Sequence, residues 1–261
     1  MKIIGTFLLT AAAALLSSGC VRENLVMDGK DTYHVEKEVD RAKAAQNRVK
    51  IALRLLEDGQ ATLSKENLQK ALELDPDCFD AKLAFAWYYQ TVGELDNAYR
   101  AYGELTANYA DQGDVFNNYG IFLCGQGRYT DAYSMYERAV VIPKYTRVAE
   151  TYVNAARCAY KQGDDRRAID YVDRSLKYNS NNPYALGFRA ELALAVGDIQ
   201  TARMMMNRYS HVADENAFTL FTKLRIEEGT GNTQQAKIYG QELVTRYPNS
   251  PEAKKYMSNN Y

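Results

Sequence analysis

The sequence predicts an all-α, right-handed superhelical solenoid of about six helix-turn-helix repeats. Three observations carry this expectation. Glycines recur at Gly59, Gly93, Gly127, Gly163, Gly197 and Gly231, in steps of 34, 34, 36, 34 and 34 residues. Five residues after each stands a small side chain: Ser64, Ala98, Ala132, Ala168, Ala202 and Ala236. Apolar and aromatic residues fill the intervals at helical spacing, as in Phe116, Tyr119 and Leu123. A period of this length marks stacked units, none of which buries its apolar face alone.

Residues 1–19 read as a leader. Lys2 supplies a positive start, and Ile3 to Leu16 is an apolar run of 14 residues. That fits the apolar region of a signal peptide and is too short to span a bilayer. The run ends in Leu16-Ser17-Ser18-Gly19-Cys20. Small residues before a cysteine resemble the bacterial lipobox, with Leu16 one place further out than is usual. The resemblance implies cleavage before Cys20 and lipidation of its thiol; the alternative is an ordinary cleaved leader with an unrelated cysteine. Val21 follows where inner-membrane lipoproteins typically carry Asp, which by the same resemblance implies an outer-membrane address.

Residues 20–44 hold Cys20, a polar tether and the start of a first helix expected near Val35. Six repeats follow at 45–78, 79–112, 113–146, 149–182, 183–216 and 217–250, with residues 147–148 inserted at a corner. The glycine ends the first helix of each pair, since it adopts positive φ without a steric penalty. The small residue lets the second helix cross close to the first. Pro76, Pro143, Pro183 and Pro248 fall where one repeat must stop. Arg189 and Lys223 occupy usually apolar positions in the last two repeats. Residues 251–261 read as a capping helix and tail, with Pro251 at the helix start and Glu252 in its first turn.

A 34-residue helical pair is similar to the tetratricopeptide repeat. That resemblance implies a concave face lined by the first helices, with their second, fifth, ninth, twelfth and thirteenth positions turned into a groove. Here those positions offer Val49, Leu53 and Leu56, then Leu83, Trp87 and Gln90, then Asn117 and Ile121. Exposed together, large apolar residues would mark a partner site; the alternative is that Leu83 and Trp87 are core. The charged clamp that some such proteins use is absent, because Val49 and Leu53 stand where Lys and Asn would be.

Composition narrows the functional classes. The chain carries 32 Lys+Arg against 33 Asp+Glu, so no basic surplus argues for nucleic acid. Its two histidines, His34 and His211, stand outside any catalytic or metal-binding spacing, and no glycine-rich phosphate loop occurs. We expect no enzyme, no cofactor, no metal and no small-molecule substrate. Met204-Met205-Met206 reads as adaptable packing. Four cysteines are present: Cys20, Cys78, Cys124 and Cys158. Cys124 and Cys158 are 34 apart, near the ends of adjacent first helices. Such packing brings Cα atoms within the ~4.4–6.8 Å that a disulfide requires; the alternative is two buried thiols. Cys78, at a corner after Pro76, reads as a partly buried free thiol.

The middle repeats are more specific. Asn117-Asn118-Tyr119-Gly120, Phe122-Leu123-Cys124, Gln126-Gly127-Arg128-Tyr129 and Asn154-Ala155-Ala156-Arg157-Cys158 resemble the type IV pilus biogenesis and stability lipoproteins, the PilF/PilW family of pilotins. The resemblance runs from the lipid cysteine to the last repeat. It implies an outer-membrane lipoprotein facing the periplasm that binds secretin subunits and promotes their localisation and multimerisation. By their groove positions, Leu53, Leu83 and Trp87, with Asn117 next, are the residues expected to grip the secretin. The competing reading is a repeat lipoprotein serving β-barrel assembly or peptidoglycan synthesis.

Overall fold

A computed structural model describes residues 30–259. The leader, Cys20, Val21 and His34's side chain lie outside what it describes. Among the described residues there are thirteen α-helices and no strand. Six antiparallel pairs follow one another: α1 (Lys30–Glu57) with α2 (Ala61–Leu74), α3 (Phe79–Thr91) with α4 (Leu95–Asn108), α5 (Gly113–Gly125) with α6 (Tyr129–Val140), α7 (Val148–Gln162) with α8 (Asp165–Tyr178), α9 (Pro183–Ala195) with α10 (Ile199–Tyr209), and α11 (Ala217–Gly229) with α12 (Thr233–Arg246). α13 (Pro251–Ser258) packs on α11 and α12 and closes the stack.

Each second helix hands over to the next first helix, and first helices also touch along one side, as α1 with α3, α3 with α5, α5 with α7 and α9 with α11. This is the connectivity of an all-α solenoid, in which each unit leans on its neighbours. All six periodic glycines have φ between +75° and +85°. A side chain with a Cβ would be strained there, so the period in the sequence is a period of left-handed helix ends. The six small residues are all buried; Ser64 uses its hydroxyl to donate to the Ala52 carbonyl at 2.8 Å, tying α2 to α1.

The first helix begins earlier than Val35. α1 starts at Lys30 and is 28 residues long, twice the 14 of α2. Between Gly29 and Gly59 the chain has neither glycine nor proline, so nothing local interrupts it. Arg41 still reaches the Glu73 carbonyl in the last turn of α2; residues before it run on past the first pair.

Among the described residues the core is a series of clusters along the stack, one of which runs from α5 through α9. Its largest fully buried side chains include Tyr102, Tyr136, Phe116 and Phe122. Met205 and Met206 are buried while Met204 is exposed, as packing on a helix face requires. Burial pushes the Tyr102 and Tyr136 phenols well above their ordinary range, so both rings stay neutral in the core.

Candidate functional site

The first helices make one continuous face. At its N-terminal end lies a cavity of about 450 Å³. Val49 and Leu53 from α1, with Leu83, Ala84 and Trp87 from α3, give it an apolar lining; Gln46, Lys50, Asp80 and Asn118 add polar groups. The four-residue steps from Val49 to Leu53 and from Leu83 to Trp87 put each pair on one helix face. Leu53 and Trp87 also pack on the core of the first repeat, and Leu83 on that of the second. They are therefore both core and groove wall, half-buried, with the rest of their surface turned into the cavity. Leu56, by contrast, is buried in the first core.

Three more expected groove residues lie outside the cavity lining: Gln90, whose Oε1 accepts from the Tyr102 hydroxyl at 3.2 Å, Asn117 and Ile121. Asn117 is only 2% exposed. Its Oδ1 accepts from Asn154 Nδ2 at 3.0 Å, and its Nδ2 donates to Asn118 Oδ1 at 3.4 Å. The side of α5 that carries Asn117 is closed by α7, so the buried amide is satisfied by a neighbouring amide and not by solvent or a partner. Asn118, one residue on, reaches the cavity. Ile121 is 37% exposed, one period beyond Trp87 and outside the cavity lining.

Gln46 and Asp80 stand at the second position of their repeats, within the groove pattern though not named from it; Lys50, Ala84 and Asn118 fall outside the pattern. Lys50, Ala84 and Asn118 are 34 apart, directly after the fifth position of each repeat. An apolar-facing stripe on a helix is at least ~100° wide, and so takes in consecutive positions. That spacing was the available signal; apolarity was not, because only Ala84 of the three is apolar.

The centre of the face is heavily joined. Cys124 and Cys158 form a disulfide between α5 and α7, with Cα atoms 5.8 Å apart. Lys161 Nζ donates to the Gly125 carbonyl at 3.2 Å and the Cys124 carbonyl at 3.4 Å, and Arg147 pairs with Asp114 at 3.0 Å. Cys78 is a buried free thiol preceding α3, and burial pushes its pKa up, which keeps it an unreactive thiol. Among the described residues no group of His, Cys, Asp and Glu is placed to hold a metal, and no helix is long and apolar enough to cross a membrane.

A family model for the tetratricopeptide repeat matches residues 111–180, the segment around the disulfide. An uncharacterized protein of Haemophilus influenzae is 42% identical over 118 residues, a match covering 45% of this chain and 65% of that protein. The type IV pilus assembly protein PilF of Pseudomonas aeruginosa is 27% identical over 241 residues, 92% of this chain and 93% of PilF. The solved structure of PilF superposes with a TM-score of 0.67, covering 84% of this chain and 99% of that one at 28% identity. The crystal structure of PilW, a widely conserved type IV pilus biogenesis factor, gives a TM-score of 0.69 over 82% of this chain and 98% of PilW at 26% identity. With the glycine-closed helix pairs already described, these matches lead to one conclusion: the chain is an all-α solenoid of tetratricopeptide repeats, similar along nearly all of its described length to the type IV pilus proteins PilF and PilW.

Proposed function

We propose that this chain acts in type IV pilus biogenesis as a pilotin: a lipoprotein of the outer membrane that binds secretin subunits and promotes their localisation and multimerisation. The likeness to PilF and PilW, both type IV pilus proteins by name, supports the pilus role. The observation that carries the binding role is the cavity on the first-helix face, where Leu53, Leu83 and Trp87 keep apolar surface open to a partner. Bulky aromatic side chains in such settings are the anchors that dominate protein interfaces. The Cys124–Cys158 disulfide supports an oxidising compartment such as the periplasm. Lipidation at Cys20 would supply the address; three acyl chains hold a protein far more firmly than the single chain that anchors only marginally.

The test is a deletion strain complemented with variants, with unboiled outer membranes blotted for the heat-resistant secretin multimer. Trp87→Ala should lower secretin capture by about tenfold or more, as loss of an aromatic hot spot does, with the thermal melt within a few degrees of wild type. Cys20→Ala should leave the multimer in the wrong membrane. A multimer unchanged in amount and place on deletion overturns the pilotin reading and moves the assignment to a scaffold for β-barrel assembly or cell-wall synthesis.

A further inference from the structure

One register position changes character halfway along the face. Six residues before each left-handed glycine stand Leu53, Trp87 and Ile121 in the first three repeats, then Arg157, Glu191 and Arg225 in the last three. The change falls at the disulfide junction. In the first half this position supplies two walls of the cavity. In the second half Arg157 and Glu191 are exposed and Arg225 is half-buried. They sit on α7, α9 and α11, successive first helices of the same face.

The three charges share one environment. Glu191 feels Arg225, Lys255 and Arg157 as favourable charges and Glu252 as an unfavourable one, and among the described residues these act through space and not as hydrogen bonds. Neighbouring first helices set the spacing, roughly 8–10 Å for packed helices. Burial nonetheless raises the Glu191 carboxyl above its ordinary value, against the pull of those cations.

We propose that the C-terminal half of the first-helix face docks an extended peptide segment whose charges run acid, base, acid at every third residue. The spacing follows from the fold. In the polyproline II conformation an extended chain advances ~3.1 Å per residue and turns once every three, so every third side chain faces the protein and three residues cover the distance from one first helix to the next. The signs follow from the ladder: Arg157 and Arg225 each take a carboxylate, and Glu191 between them takes an ammonium or guanidinium. Arg is suited to the outer places because its fork grips a carboxylate with two hydrogen bonds. The proposal rests on the first-helix face being a protein-binding face but not on what fills the N-terminal cavity.

The probe is an immobilised set of nonapeptides with three charged places separated by pairs of serines, in all eight acid and base orders, beside an all-serine peptide. The purified chain is passed over them at low ionic strength. The acid–base–acid order should bind about tenfold more tightly than base–acid–base, and the difference should shrink at high salt. The triple variant Arg157→Glu, Glu191→Arg, Arg225→Glu should invert the preference. Glu191→Gln, which keeps both arginines, should remove only the preference for a base in the middle, and its unchanged melt separates docking from folding. Binding that tracks net charge whatever the order, no order above the serine peptide, or an uninverted preference in the triple variant each overturns the proposal. Trp87→Ala should leave the order preference intact, so failure here and failure of the cavity reading are separately visible.

Discussion

Gly120 shows what a single residue reports once its neighbour is known. It is not one of the left-handed glycines. A Cβ built on it would lie 2.6 Å from Cε1 of Tyr136, a ring only 2% exposed and fixed in the core. The glycine is a contact surface: α6 lays a tyrosine flat on the backbone of α5. Gly120→Ala should therefore cost about 1–3 kcal/mol by overpacking, read as a fall of several degrees in the melting temperature; an unchanged melt would mean that α5 and α6 separate freely. The sequence marks Gly120 only as part of Asn-Asn-Tyr-Gly, because the ring that explains it lies sixteen residues away. Arg189 and Lys223 were anomalies for the same reason. Arg189 pairs with Asp173 at 2.9 Å, and Lys223 with Glu215, which also holds Arg246. Burial alone would raise the Glu215 carboxyl; the Lys223 and Arg246 hydrogen bonds outweigh it and hold it below its ordinary value. A pattern of apolar positions cannot register a charge that meets its partner on another helix, as Arg189 does, or on a connecting loop, as Lys223 does.

At the scale of the element, helix ends divide the molecule. None of α2 to α7 has a side-chain cap at its N-terminus. Each of α8 to α13 has one, from Asp164, Asn182, Asp198, Asn216, Asn232 and Ser250. Such a cap contributes ~1 kcal/mol, equivalent to about fivefold in a local opening equilibrium. First-turn amides of α8 to α13 should exchange with deuterium about fivefold more slowly than those of α2 to α7; equal protection would show that packing, not capping, governs these ends. The Asp, Asn and Ser caps went unread, but the glycine ends were legible, since each depends on one residue's own conformation. The start of α1 was not, because no residue marks it: a helix without a breaker continues as far as its neighbours and solvent allow. Pro183 and Pro251 do stand at helix starts, where a missing N–H costs nothing.

For the whole molecule, repetition made the fold readable and the site only partly so. A 34-residue period specifies which helix packs on which, and a solenoid needs little more. The face is harder, since neighbouring register positions on one helix can point to core or to cavity. Asn117 and Asn118 differ by one residue, and one closes the α5–α7 contact while the other reaches the cavity. The same face carries two chemistries, apolar toward α1 and charged toward α11, meeting where Cys124 and Cys158 join.

That junction has a mechanical meaning. The disulfide spans 34 residues of sequence, a length that would add roughly 110 Å if drawn out. Tension applied to the two ends passes from α5 directly to α7 through sulfur, and the enclosed chain, α6 included, bears none of it. In single-molecule pulling, the oxidised chain should reach a contour length about 110 Å shorter than the same chain in reductant; equal lengths would mean the crosslink does not form. Under tension between its two ends the chain would thus stretch in two separate halves, each unravelling toward a midpoint that holds.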